Sequence, residues 1–303
     1  MNQLTRDQNR ASVYSGQPLR PSAGRLLVPS PVERKPPTVQ AVKHVRRMRG
    51  GAQSHLILAD DGYYYIVKLQ NNPQDTRVLV NDWIGTRLGE MIGLPVPATA
   101  IVTVDSSLLE RTPELSFELC GLKRPCTAGP SFGSRYVISP SKGSVYDYLP
   151  GGMISEVRNC RDFAGALALD KWTCNTDGRQ VVYWKKSRER KFTASFIDQG
   201  YCFNAGEWSF PDAPLRGVFC RNDVYQWVTG WECFEPWLSR IENFPECAIW
   251  KLAEEVPPEW YNSDTEALKA MLTRLCERRV IVHELILSFK ESLRNPFPEW
   301  TDA

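Results

Sequence analysis

LDKWTCNTDGRQVVYW, residues 169–184, and SFIDQG, residues 195–200, each place an aspartate in a polar loop beside an apolar run. Asp177 follows RDFAGALALDKW, whose apolar residues have helical spacing, and precedes the strand-like run QVVYWK. Asp198 ends the strand-like run TASFID. Each aspartate alone is typical of a solvated turn, because Asn-Thr-Asp-Gly is favourable turn sequence. Whether the two aspartates have a functional role therefore depends on the residues that surround them in the chain.

Upstream of this stretch the sequence predicts a sheet and one helix. Residues 39–48, 55–61 and 62–70 read as three strands of a meander, joined by RGGAQ and by an Asp-Gly turn signal. Apolar residues at helical spacing predict a helix over residues 77–92, which Gly93 ends. The run PATAIVTV then returns as a further strand.

The region between this sheet and the two aspartates is punctuated by proline and glycine. Residues 106–130 read as irregular, SRYVIS as an edge strand, and LPGG at 149–152 as a hinge. Beyond Asp198 the chain is mostly helical. This order predicts an α+β, two-lobed, protein-kinase-like fold, with an antiparallel sheet and one helix in the N-lobe and a mostly helical C-lobe. The predicted divisions are a flexible N-terminal tail, the N-lobe with the hinge, and the C-lobe, at residues 1–36, 37–150 and 151–303.

Composition excludes several classes of protein. In 303 residues, 37 lysines and arginines against 35 aspartates and glutamates give a net charge of +2, so we expect no direct nucleic-acid binding. The basic run HVRRMR lines either a cleft or the solvent face of a strand. The opening MNQLTRDQNR has no apolar stretch, and no later run approaches membrane-spanning length, so we expect a cytoplasmic protein without a membrane span. With no CxxC pair and three histidines, a metal held by cysteine or histidine is not expected.

Residues suited to phosphate chemistry occur in the predicted sheet and helix. Lys68 lies inside the apolar run YYYIVKL, where it either faces solvent or needs an acidic partner or an anionic ligand. Asp82 on the following helix is the expected partner, with Glu90 as its substitute. The turn between the first two strands offers small residues that let backbone N–H groups approach phosphate oxygens, although a tight hairpin alone also accounts for them. These residues are Gly50, Gly51, Ala52, Gln53 and Ser54.

The two loop aspartates complete this set. Phosphoryl transfer from ATP needs a phosphate cradle, a cation, a carboxylate on Mg²⁺ and a group that receives the proton of the nucleophile. Asp177 is suited to the last role and Asp198 to the metal. Arg179 either touches phosphate or faces solvent in the turn. The order of these features along the chain favours phosphoryl transfer more than any one of them does.

These residues also resemble a known family. The stretch from RGGAQSHLILADDGYYYIVKL to GEMIGLPVP, with LDKWTCNTDGRQ, FIDQGYCFNAGEW and PPEWY, resembles the HipA-like kinase domains of bacterial proteins over residues 40–300. LDKWTCNTDG and FIDQG are more distantly similar to the catalytic and metal-binding stretches of type II phosphatidylinositol 4-kinases. The resemblance implies a kinase-like fold that binds ATP and Mg²⁺, with Lys68 on the phosphates, Asp177 at the transferring group and Asp198 on the metal.

One position departs from the family pattern. Kinases generally carry an asparagine metal ligand five residues after the catalytic aspartate, and Val182 stands there in this chain. Gln180 is the expected substitute, because its amide oxygen is a possible Mg²⁺ ligand. A nucleotide-binding regulatory module without transfer activity is the alternative that this departure raises.

The resemblance leaves the acceptor open. It favours a serine or threonine of a protein, with a small-molecule hydroxyl and a lipid head group as further alternatives. Transfer of AMP in place of phosphate is also compatible with the scaffold. An antitoxin-like protein partner is suggested by analogy with the family alone.

Overall fold

The computed structural model describes residues 36–301. The tail predicted at residues 1–36 lies outside the described residues up to residue 35. None of the helices in the described range is both long and apolar enough to span a membrane.

The first half of the described chain contains seven of its strands and two helices. Tight turns match the sequence signals: Gly62 has a φ of +79° between two strands, and Gly93, with a φ of +89°, follows the long helix. The elements are β1 (Thr38–Arg47), β2 (His55–Ala59), β3 (Tyr64–Lys68), α1 (Val78–Met91), β4 (Thr99–Val104), α2 (Ser106–Glu110), β5 (Ser116–Leu119), β6 (Leu122–Pro125) and β7 (Gly129–Arg135).

Five of these strands form a closed barrel in the order β1-β2-β3-β7-β4. The predicted antiparallel sheet is wrong in one pair, because the start of β1 runs parallel to β4, with Val39 opposite Val102. This parallel pair joins the two ends of the sheet. Ile57, Val67 and Val102 are fully buried and belong to the barrel core.

The stretch predicted as irregular contains α2 and the β5–β6 hairpin. The predicted edge strand at 134–139 is also misplaced, since β7 lies earlier and pairs with both β3 and β4. Its sequence, GPSFGSR, lacks the β-branched residues that signal a strand. Gly133 is required there by close packing, because a Cβ atom would lie 2.5 Å from Cγ2 of Val102.

The second half of the described chain combines a small sheet with helices. Its elements are β8 (Gly143–Tyr146), α3 (Asp162–Thr173), β9 (Gln180–Lys186), β10 (Thr193–Ile197), α4 (Trp237–Glu242), α5 (Glu246–Glu254), α6 (Thr265–Glu277) and α7 (Val282–Lys290). The sheet has the order β10-β9-β8. Because β8 pairs with β9, the strand before the LPGG stretch belongs with the later elements. The division at residue 150 stays a prediction.

A second and larger hydrophobic core surrounds α3, which is buried from Phe163 to Thr173. α1 also packs into this core, although it precedes β4 in the chain. Its Trp83 ring meets the Trp260 ring edge-on with centroids 6.0 Å apart, and Gly89 brings its backbone close to Leu169 of α3. Helices α1 and α3 therefore share one core.

Candidate active site

Every residue predicted for the site lines one or both of two adjoining cavities, of about 680 and 450 Å³. Lys68 and Asp82 line the larger cavity, and Asp177 lines the smaller one together with the turn from Gly50 to Ser54. Gln180 and Asp198 line both. Arg46 and Arg49, from the basic run of β1 and its turn, also face the larger cavity. Residues from the barrel and from the larger core thus converge on one cleft.

Lys68 is buried between two carboxylates. Its Nζ lies 2.7 Å from Oδ2 of Asp82 on α1 and 2.8 Å from Oδ1 of Asp198, and the residue is 5% exposed. Lys68 therefore does not face solvent, which was the alternative to an acidic partner in the sequence analysis. Glu90, the substitute partner, is exposed on α1 and pairs with Arg87.

The charges of this cluster do not balance. Burial raises the pKa of Asp82 to about 6, even with the Lys68 ammonium beside it. Burial opposes ionisation of Asp198 as well, but the Lys68 ammonium outweighs it and lowers the pKa of that carboxyl. For Lys68, burial opposes the charge, and the two carboxylates outweigh it and raise its pKa. At neutral pH one ammonium faces two carboxylates, so the cluster has an excess negative charge that favours a further cation.

Asp198 is placed to hold that cation. It follows β10 with a left-handed φ of 59°, and its Oδ1 accepts from Lys68 and from the Gly200 N–H. Among the described residues its Oδ2 has no hydrogen-bond partner, and its side chain is 26% exposed. A carboxylate oxygen open to the cleft fits Mg²⁺, which in phosphate-transferring sites is held by one or two carboxylates and by the phosphates themselves.

Gln180, the other predicted Mg²⁺ ligand, lies beside Asp177. Its Nε2 donates to Oδ2 of Asp177 at 3.3 Å, which leaves its amide oxygen without a partner among the described residues. Val182 is 9% exposed in β9, opposite Ser195 of β10, and offers no ligand atom. No three His, Cys, Asp or Glu side chains converge on a metal position within residues 36–301.

Asp177 lies exposed at the mouth of the smaller cavity. Its backbone N–H donates to Oδ1 of Asn175 at 3.1 Å, and its own Oδ1 accepts from the Gly178 N–H at 2.8 Å. These bonds form the turn predicted from Asn-Thr-Asp-Gly. They also hold the carboxylate at the cleft, where an incoming hydroxyl is able to reach it.

The turn from Gly50 to Ser54 presents backbone N–H groups as free hydrogen-bond donors. Gly50 has a φ of +119°, and the N–H groups of Gly51 and Ala52 donate to no acceptor within the described range. The Gln53 side chain instead bonds the backbone of Glu118 at 2.8 Å in both directions. Free N–H groups beside a cavity are suited to oxygens of an anion.

Sequence reasoning missed the residues that hold these loops. Arg179 does not face solvent: it lines the larger cavity but is only 5% exposed, and its guanidinium pairs with Asp170 of α3. Asn81 donates to the carbonyls of Gly200 and Ala205, both at 2.8 Å. A signal existed for Asp170, because an acidic residue inside the apolar helical run FAGALALDKW needs a buried partner.

Comparison with known proteins gives a family and a set of structural similarities. The family model for HipA-like kinases matches residues 41–284. Among solved structures, a crystal structure of the Golgi casein kinase is 12% identical, with 84% of this chain and 74% of that chain covered and a TM-score of 0.49. The Helicobacter pylori proinflammatory kinase CtkA is 14% identical, with 84% and 99% covered and a TM-score of 0.46. A search of curated proteins gave no match. Since the family model spans most of the described residues, the chain belongs to the HipA-like kinases.

Proposed function

We propose that this protein transfers the γ-phosphate of MgATP to a hydroxyl group, with a serine or threonine of a protein as acceptor. The observation that carries the proposal is the Lys68 ammonium held between Asp82 and Asp198 in the larger cavity, since Asp198 also lines the smaller cavity, where Asp177 and the glycine turn lie. A buried cation beside a carboxylate with a free oxygen suits a metal-bound phosphate chain. Membership of the HipA-like kinases supports the same chemistry.

In this mechanism, binding and charge neutralisation supply most of the rate. Lys68, held by Asp82, anchors the phosphates, and the unpaired N–H groups of Gly51 and Ala52 donate to phosphate oxygens. Asp198 and Gln180 would hold Mg²⁺, which when bound neutralises charge on the phosphates. Asp177 orients the acceptor hydroxyl and receives its proton.

A second function is favoured by one observation. Val182 takes the position where kinases generally carry a second metal ligand, and it is buried as a strand residue. If Gln180 does not replace that ligand, the protein is a nucleotide-binding regulatory module. Such a module is stabilised by MgATP through mass action but forms no product.

Intact-protein mass spectrometry after incubation with MgATP separates these functions. We expect ADP and a phosphate-sized mass increase on the protein or on an added protein acceptor, both lost in Asp177→Ala and in Asp198→Ala. The matched control is Asp105→Ala, because Asp105 is exposed and lines neither cavity, and this variant should retain activity. An AMP-sized increase indicates nucleotidyl transfer. Stabilisation by MgATP with no product indicates the regulatory module, and no stabilisation at all contradicts both functions.

A further inference from the structure

Asp170 holds both ends of the loop that carries Asp177. Its side chain is completely buried in α3, and its two oxygens accept hydrogen bonds from residues on either side of that aspartate. Asn175 donates through Nδ2 at 2.9 Å, and Arg179 donates through Nε at 2.8 Å and also through Nη2. One buried carboxylate therefore fixes positions two residues before and two residues after Asp177.

The other side of the same guanidinium holds the loop that carries Asp198. Nη1 of Arg179 donates to the carbonyl oxygen of Ile197 at 2.9 Å, and Nη2 donates to Oε1 of Gln199 at 2.9 Å. These acceptors immediately precede and follow Asp198. All three guanidinium nitrogens thus donate to protein acceptors. Because the guanidinium is planar and rigid, its donors fix the spacing between the groups that it joins.

We propose that Asp170 and Arg179 are positioning residues that set the distance between Asp177 and Asp198. This inference rests on the proposed function for its catalytic consequence. Asp170 is 1% exposed and bonded to protein donors, so it has no contact to offer a ligand. Displacement of a reacting group by about 1 Å is enough to lower a rate on the order of 100-fold.

The test compares Asp170→Asn and Arg179→Lys with Leu167→Ala. Asp170→Asn removes the negative charge that pairs with Arg179. Arg179→Lys keeps the positive charge, but a single ammonium is unable to make the bonds by which the guanidinium bridges both loops. Leu167, also buried in α3, contributes to the core and has no bond to either loop, so its variant controls for loss of stability. We expect both positioning variants, assayed below their melting temperatures, to lose about 100-fold in kcat with little change in KM for ATP. Leu167→Ala should keep a kcat close to that of the wild type. Equal kcat in all three variants overturns the inference.

Amide hydrogen exchange without nucleotide tests the positioning role independently of turnover. We expect Arg179→Lys and Asp170→Asn to speed exchange selectively at residues 175–179 and at residues 197–200, relative to Leu167→Ala. Arg179→Lys alone carries the test if Asp170→Asn does not fold. Faster exchange in only one of the two loops, or equally across α3, overturns the inference. If the wild-type protein transfers no phosphate, the proposed function fails, and the exchange result still decides whether this pair couples the loops.

Discussion

The two carboxylates on Lys68 should respond to substitution in opposite ways. Asp82 is 1% exposed, whereas the Asp198 side chain is 26% exposed, although both contact the same Nζ atom. We predict that Asp82→Asn removes a loss of stability that the wild type suffers as pH rises. We predict that Asp198→Asn, in contrast, destabilises the protein at neutral pH.

The magnitude for Asp82 follows from its pKa, which burial raises from 3.8 to about 6. Between these values the folded protein binds more protons at this site than the unfolded protein, so the free energy of unfolding falls as pH rises. A shift of two pKa units corresponds to a loss of about 3 kcal/mol, complete above about pH 6. Asn keeps an oxygen that accepts the Gln199 N–H bond and abolishes the titration.

The sign is reversed for Asp198, whose pKa is lowered because the Lys68 ammonium outweighs burial. Its ionised form stabilises the folded protein above its ordinary pKa, and this contribution is lost as pH falls through the lowered value. Asp198→Asn should therefore reduce the free energy of unfolding at neutral pH, and the difference from wild type should shrink in acid.

Urea unfolding, followed by tryptophan fluorescence in metal-chelating buffer across about pH 2 to pH 8, measures both profiles. Asp105→Asn, an exposed aspartate, is the control and should reproduce the wild-type profile. The reasoning is refuted if the difference in stability between the wild type and Asp82→Asn does not change between about pH 4 and pH 6, or if Asp82→Asn and Asp198→Asn shift the profile alike.

Three further predictions concern other parts of the chain. Burial lowers the pKa of the His55 imidazole to about 4 from 6.5, so this group should contribute a loss of about 3 kcal/mol as pH falls across that interval, opposite in sign to the contribution of Asp82, and His55→Gln should lack this loss in the same urea experiment. Gly85→Ala should lower the free energy of unfolding by about 1–3 kcal/mol in spite of the helix preference for alanine, because its Cβ would lie 2.8 Å from Cβ of Gln199, and an increase in thermal stability would contradict this. Gln180→Ala should raise the Mg²⁺ concentration needed for half-maximal turnover without changing the melting temperature, since the side chain is exposed; an unchanged requirement would exclude it as a ligand.

The parts of the site that the sequence predicts are those with local signals. A lysine in an apolar strand required a partner, and the helix that follows offered Asp82 at a buried position. The turns at Gly50 and at Asp177 were readable from residue type alone. The parallel β1–β4 pair and the placement of β7 were not, because both depend on contacts between segments that lie far apart in the chain. The bridging bonds of Arg179 were not predictable for the same reason: its partners on α3 and after β10 are defined only by the folded structure.

The charge distribution connects these observations. Two buried cations of the site, Lys68 of β3 and Arg179, each have a carboxylate partner on a helix of the larger core: Asp82 of α1 for Lys68 and Asp170 of α3 for Arg179. Removal of Asp170 leaves the buried Arg179 charge uncompensated, which is far more costly than loss of an exposed pair, whereas Lys68 keeps Asp198 as a partner when Asp82 is neutralised. Asp177 and Asp198 are instead left with oxygens that face the cleft. The helices therefore neutralise the charges that hold the loops in place, while the negative charge that remains is directed to the cavity, where a metal-bound phosphate chain would balance it.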